Sequence, residues 1–102
     1  MKLLIITCLK ESFNAASNLL KQSHIQAFSA TDVTGFKNNQ AVDLAAAWFA
    51  AGDEKFDSMF IFSFTTQENA AAGLIAIKQY NAENDTDFPI RAFIVPVDAA
   101  SY

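Results

Sequence analysis

The sequence predicts one α+β domain of the ferredoxin-like class, in which four antiparallel strands and two helices follow the order βαββαβ. The chain has 102 residues, which is enough for one domain with a single core and too few for two. Four short segments show the apolar or alternating patterns of strands. Two segments between them repeat apolar residues at helical spacing. We therefore treat residues 1–102 as a single domain.

The first half of the chain contains a strand, a helix and a second strand. Residues 3–8 form an apolar run typical of a central strand. Ser12 is a candidate N-cap for the helix that follows. The apolar residues of this helix recur at helical spacing: Phe13, Ala16, Leu19 and Leu20. The helix is predicted to end in a turn at His24, and residues 25–36, which have a period near two and close at Gly35, predict the second strand.

The second half contains a long loop, a strand, a helix and a last strand. Residues 37–56 have no clean period and predict the loop, whereas residues 58–64 alternate as a strand does. Thr65 and Glu68 have the spacing of a capping box at the start of the second helix. An acidic loop follows that helix, and residues 90–97 predict the last strand.

The order of these elements predicts their arrangement. Right-handed crossovers place both helices on one face of the sheet, with the first and third strands in the centre and the second and fourth at the edges. Pro96 suits an edge strand, because a missing backbone donor is tolerated there.

Three of the strands are apolar on both faces, although helices cover only one face. We expect Leu3, Ile5, Met59, Ile61 and their neighbours to lie on the face without helices. Left open, this surface would exceed the few hundred Å² of contiguous apolar patch typical of a soluble monomer. The pattern predicts self-association, and the alternative is that the long loop folds over this face.

Charge and composition exclude several classes of partner. A net charge of −4 with only seven Lys and Arg residues leaves no basic face for nucleic acid or an anionic membrane. The single cysteine, Cys8, cannot form an internal disulfide, and no stretch approaches the roughly 20 apolar residues of a membrane helix. We expect a cytoplasmic protein.

Candidates for catalysis are few. His24 and Cys8 are the only residues of their types and are separated by a helix, so we expect neither a nucleophile pair nor a soft metal site within one chain. We interpret Asp53, Glu54 and Asp57 as a solvated acidic cluster. The sequence therefore predicts no catalytic residues and no metal ligands.

One segment has the pattern of a known family. Residues 25–36 read Ile-Gln-Ala-Phe-Ser-Ala-Thr-Asp-Val-Thr-Gly-Phe. They resemble the second strand of the PII signalling family, and residues 90–95 resemble its last core strand. The order and spacing of all elements are similar to that family as well. The resemblance implies a homotrimeric regulatory protein of the nitrogen regulatory kind, not an enzyme, with its ligand bound in clefts between subunits.

The resemblance also assigns ligand-binding residues. Ser29 matches the hydroxyl residue that reads the adenine of a bound nucleotide, and Thr31 is expected beside it on the same strand face. The base of the family's recognition loop matches Gly35, Phe36 and Lys37. Arg91, the only arginine in the sequence, completes the predicted set of ligand-binding residues.

The phosphate-holding loop of the family, rich in Gly and Lys, is replaced in this chain. Residues 84–89 read Asn-Asp-Thr-Asp-Phe-Pro. This loop has no glycine to let the backbone approach phosphates, and its carboxylates would repel them. We therefore expect weak or absent ATP binding, and no cofactor is assigned.

The long loop is the predicted partner-binding segment, since loops of this length are usually functional. It contains the only tryptophan, Trp48, beside Phe49, and Trp is enriched among interface anchors. The alternative is that Trp48 folds back onto the core as a lid. By resemblance, the partner would be a regulated protein such as a membrane transporter.

Two other functions stay open at this point. A CutA-like divalent-cation protein would share the fold and the trimer, but its metal would need ligands donated across subunits. A small ferredoxin-like enzyme would need a His or Arg in an apolar pocket, and only His24 and Arg91 are available.

Overall fold

The computed structural model describes residues 1–36 and 56–101. In these residues the elements follow the predicted order. The strands are β1 (Lys2–Leu9), β2 (Ser29–Gly35), β3 (Phe56–Thr65) and β4 (Arg91–Pro96). The helices are α1 (Phe13–Gln22) and α2 (Gln67–Glu83), and a single 3₁₀ turn (Lys10–Ser12) leads into α1.

The four strands form one antiparallel sheet in the order β2-β3-β1-β4. The prediction of β1 and β3 as central strands and β2 and β4 as edges is confirmed. Register aligns Ile6 of β1 with Ile61 of β3 on one side and with Ala92 of β4 on the other.

The core lies between one face of the sheet and the two helices. Its most deeply buried side chains come from the middle strands and from both helices: Leu4, Ile6, Leu20, Ile61 and Ile77. Burying a Leu or Ile side chain of this kind contributes roughly 1.5–3 kcal/mol. A Cβ atom at Gly73 would lie 3.3 Å from the Ile25 and Leu4 side chains, so glycine at this position lets α2 lie close against the sheet. Both helices therefore cover the same face, as predicted.

The N-terminal caps of both helices differ from the predicted ones. Ser12 occupies the N-cap of α1, but its side chain makes no capping hydrogen bond, because the chain enters α1 directly from the 3₁₀ turn. At α2 the cap is Thr66, whose Oγ1 accepts a hydrogen bond from the Asn69 N–H at 3.1 Å. The predicted box at Thr65 and Glu68 is wrong by one residue, since Thr65 still pairs with Lys2 in the sheet.

The end of α1 confirms a turn at His24 and shortens the second strand. His24 has a φ of 63°, and its N–H donates to the Lys21 carbonyl at 3.1 Å. The Ile25 N–H donates to the Leu20 carbonyl at 3.0 Å, which completes a Schellman motif. Because Ile25 closes the helix and its side chain is buried in the core, β2 begins at Ser29 and not at residue 25.

Neither described helix has the length and apolar character needed to cross a bilayer.

Candidate functional site

The sheet face opposite the helices carries a band of apolar side chains. We call it the open face; its apolar members are Leu3, Ile5, Phe60, Phe62, Phe64, Phe93 and Val95. Across the strands, Ile5 aligns with both Phe62 and Phe93. Within the described residues no helix covers this band, and Phe64 is 55% exposed.

The three phenylalanines of β3 form a ladder along the open face, because alternate residues of a strand point to the same side. The ring centroids of Phe60 and Phe62 are 5.9 Å apart, and those of Phe62 and Phe64 are 6.4 Å apart. The second pair has an edge-to-face geometry, which aromatic rings favour.

The predicted membership of the open face was half wrong. Leu3 and Ile5 lie on it, but Met59 and Ile61 lie on the helix side, where Ile61 is only 1% exposed and aligns with Ile6. Alternate residues of β3 point to opposite faces of the sheet. The register puts Phe60, Phe62 and Phe64 on the face of Leu3 and Ile5, so Met59 and Ile61 point to the helices.

Toward the end of β1 the open face carries polar side chains as well as Leu9 and Val33. There Thr7 aligns with Arg91 on one side and with Phe60 on the other, and Thr31 of β2 aligns with Phe60. Within the described residues, two buried side-chain atoms have no hydrogen-bond partner: Nε of Arg91 and Oγ of Ser58. Both belong to this end of the face, because Ser58 aligns with Leu9, two residues beyond Thr7.

The structure places the predicted ligand residues at two opposite edges of the sheet. Ser29 and Thr31 are exposed on β2 and share one face, as expected, since they align with Phe62 and Phe60. Arg91 lies on β4, and strands β3 and β1 separate it from β2. Three strand spacings amount to roughly 14 Å, so one chain alone does not bring these residues together.

The other predicted site residues lie at or beyond the end of β2. Gly35 is buried at the last position of the strand, and Phe36 after it is exposed. Lys37, Trp48 and Phe49 lie outside the described residues, so their roles stay predictions.

The acidic loop between α2 and β4 borders a cavity of about 300 Å³, which we call the end cavity. Its lining includes four apolar or aromatic residues and two carboxylates: Leu9, Tyr80, Phe88, Ile90, Glu11 and Asp85. Asn81 of α2 also lines it and holds the loop's last residue through two hydrogen bonds with the backbone of Ile90.

Little in the described residues suggests nucleophile or metal chemistry. Burial raises the pKa of the Cys8 thiol to about 11, which keeps it protonated at neutral pH. His24 is exposed at its turn. No group of three or more His, Cys, Asp or Glu residues in residues 1–36 and 56–101 is placed to hold a metal ion.

Solved structures share this fold over nearly the whole chain. CPII, a nitrogen regulatory PII-like protein from Thiomonas intermedia K12 bound to ADP, AMP and bicarbonate, has a TM-score of 0.62 at 12% identity, covering 97% of this chain and 93% of CPII. The chain has the fold of PII-like proteins. The predicted resemblance is thus confirmed at the level of structure.

Two further structures agree with this assignment. A candidate PII-like signalling protein from Thermus thermophilus has a TM-score of 0.56 at 14% identity, covering 91% of this chain and 82% of that protein. A DUF3240 family protein from Shewanella baltica has a TM-score of 0.58 at 20% identity, covering 99% and 93%. Neither a protein-family model nor a curated protein sequence matches the chain.

Sequence reasoning missed Ser58, Asn81 and the end cavity. Ser58 reads as an ordinary strand residue, and its burial follows from tertiary packing. Asn81 stands in the polar last turn of α2, and only the path of the following loop brings Ile90 to it. No local pattern signals either role.

Proposed function

We propose that the chain is a PII-like regulatory protein that forms a homotrimer through its open face and binds a small anionic ligand in the clefts between subunits. The observation that carries the proposal is the apolar open face, which no described helix covers.

Self-association is supported by the exposure of large side chains on one surface. Phe64, Phe93 and Val95 are all exposed, and they adjoin the half-buried Leu3, Ile5 and Phe62. A contiguous aromatic and aliphatic band of this kind marks an interaction surface on a soluble domain. Packing it against other copies of the chain would remove it from water, at roughly 25 cal/mol for each Å² buried.

Ligand binding between subunits is supported by the position of the two sheet edges. A trimer can place the β2 edge of one chain near the β4 edge of another, and so unite Ser29 and Thr31 with a partner's arginine. Arg91 is half-buried on the open face, and its guanidinium has five N–H donors, of which the buried Nε has no acceptor in one chain. An anionic ligand in the cleft would accept from the less buried donors of the same group.

The CPII structure, bound to ADP, AMP and bicarbonate, suggests which anions to try first. We propose that ligands with few phosphates are preferred, because Asp85 and Asp87 are exposed in the loop that follows α2.

Partner docking completes the proposed function and rests on sequence alone. We propose that Trp48 and Phe49 contact a regulated protein, for which a membrane transporter is the candidate by resemblance. Exchange of Trp48 for Ala should weaken capture of that partner by roughly 2 kcal/mol or more and leave the trimer intact. A large loss of thermal stability would instead assign Trp48 to the core.

Native mass spectrometry of the purified protein, followed by titration with AMP, tests the assembly and the ligand separately. We expect three copies per particle and AMP bound at the ratio of one per subunit. The Arg91→Met variant should stay trimeric and lose roughly tenfold in AMP affinity, as for a lost charged hydrogen bond. Lys21→Met removes the same charge from the exposed end of α1 and should leave affinity unchanged. A well-folded monomer at micromolar concentration would refute the assembly, and equal losses in both variants would refute the assigned site.

A further inference from the structure

We propose that the end cavity binds a small organic cation of the alkylammonium class, an activity beyond the function proposed above; its acidic loop is the same one that we expect to repel the added phosphates of a nucleotide. The cavity lies where the C-terminal end of α2, the loop that follows it and the 3₁₀ turn after β1 meet. Its volume of about 300 Å³ is at the lower end of the range for ligand pockets, so it suits a small molecule.

The electrostatics of the end cavity favour a positive charge. Glu11 enters its lining from the 3₁₀ turn and Asp85 from the loop after α2, and none of the described lining residues is Lys, Arg or His. The cavity also borders the C-terminal end of the 17-residue helix α2, which is the negative end of the helix dipole. That end has no basic residue in its last turn, where Glu83 adds a further negative charge.

The rest of the lining distinguishes an organic cation from a metal ion. Leu9 and Ile90 offer aliphatic surface, while Tyr80 and Phe88 offer aromatic rings. Aromatic rings attract ammonium groups, and aliphatic side chains remove an alkyl chain from water. A hard metal ion would want about six to eight oxygen ligands, and the described residues contain no cluster of three metal-ligating side chains.

The walls of the end cavity are held in place by hydrogen bonds within the chain. Asn81 fixes Ile90 by donating from Nδ2 to the Ile90 carbonyl at 2.7 Å and accepting from the Ile90 N–H at 3.1 Å. Asn84 donates from Nδ2 to the Tyr80 carbonyl at 2.9 Å, and the Phe88 N–H donates to Thr86 Oγ1 at 3.2 Å. A ligand therefore meets a cavity whose walls are already ordered, which lowers the entropic cost of binding.

Two carboxylates from separate segments make a diammonium ion the sharpest probe. We would titrate ¹⁵N-labelled protein with 1,4-diaminobutane and, in parallel, with the uncharged 1,4-butanediol. The expected result is saturable movement of amide signals from the 3₁₀ turn and from residues 80–90, with a dissociation constant of roughly a millimolar or tighter. Binding should weaken with added salt, because the carboxylates are exposed. The diol should cause little change.

Charge-neutral variants test the assignment. Glu11→Gln and Asp85→Asn should each weaken diaminobutane binding roughly two- to fivefold, the range of exposed ion pairs. Asp87→Asn is the matched control: it removes the same charge from the same loop, but Asp87 is not in the cavity lining. All three positions are exposed, so the variants should fold. The proposal is overturned if the diol binds as well as the diamine, if Asp87→Asn weakens binding as much as Asp85→Asn, or if the shifted amides lie elsewhere.

Discussion

Asn81 and Ile90 are joined by two hydrogen bonds in opposite directions, one from the Asn81 side chain to the Ile90 carbonyl and one from the Ile90 N–H back to Asn81. The pair connects the last turns of α2 to the residue before β4, across nine positions of sequence. Because Ile90 lies just before β4, its backbone N–H and carbonyl bond to the Asn81 side chain and not to a neighbouring strand. The same hydrogen bonds fix one wall of the end cavity.

Replacing Asn81 with Ala should destabilise the domain by roughly 1–3 kcal/mol, because the donor and the acceptor on Ile90 both lose their partner in a half-buried setting. Urea unfolding measures the change. Asn84→Ala is the control, since it removes only an exposed hydrogen bond to Tyr80. Equal effects of the two variants would show that the Asn81 pair has no special importance.

His24 should be a site where stability can be gained. Its φ of 63° is a left-handed conformation that costs a non-glycine residue roughly 1–2 kcal/mol. His24→Gly should therefore raise stability by up to about 1 kcal/mol, after the greater flexibility of glycine in the unfolded chain is subtracted. The control is Gln22→Gly in the last turn of α1, which should lower stability by roughly 1 kcal/mol. An unchanged or lower unfolding midpoint for His24→Gly would mean that the histidine side chain offsets the strain.

The order of the strands in the sheet was predictable from the sequence, but the side of each strand that faces the helices was not. The alternation of apolar residues and the right-handed crossover rule are sufficient to place β1 and β3 in the centre. They do not determine which side of a strand faces the helices when both sides are apolar. The register of Ile61 against Ile6 decides this, and it depends on pairing between distant segments.

Contacts between distant segments also decide which residue caps α2 and which side chains of the candidate site are buried. Thr65 and Thr66 both fit the pattern of a helix cap, and only the end of β3 selects Thr66. The resemblance placed Ser29 and Thr31 on one face of the strand, and the register aligns them with Phe62 and Phe60 on that face. The burial of Arg91 Nε arises from tertiary packing that no local pattern encodes.

Cys8 should react slowly with alkylating reagents in the folded protein. Burial raises its pKa from 9.0 to about 11, so the thiolate fraction at pH 8 falls roughly a hundredfold from this cause alone. Iodoacetamide labelling followed by mass spectrometry should be slow without denaturant and fast in urea. The thiol's contribution to stability should be complete below pH 9 and decline between pH 9 and 11, because the unfolded state ionises first. Labelling rates that do not differ between native and unfolded protein would contradict the buried position.

The open face should control assembly, and two exposed side chains provide a matched comparison. Phe64 is 55% exposed on the open face, and Ile75 is 65% exposed on α2. Replacing either with Glu should leave the single chain folded, since neither side chain is part of the core. Phe64→Glu should dissociate the assembly in sedimentation velocity, because it places a charge in an apolar contact, whereas Ile75→Glu should not. Dissociation by Ile75→Glu alone would move the interface to the helical layer.

ATP should bind more weakly than ADP, and ADP more weakly than AMP. Asp85 and Asp87 are exposed in the loop between α2 and β4, and each added phosphate brings more negative charge toward them. Calorimetry at low salt should show this order of affinities, and added salt should reduce the differences in affinity by screening the repulsion.

The double variant Asp85→Asn, Asp87→Asn should strengthen ATP binding roughly two- to fivefold and affect AMP binding least. Glu68→Gln, at the other end of α2, should change none of the three affinities. A low-micromolar or tighter dissociation constant for ATP in the unmodified protein would show that the acidic loop does not govern the ligand, and that other groups hold the phosphates.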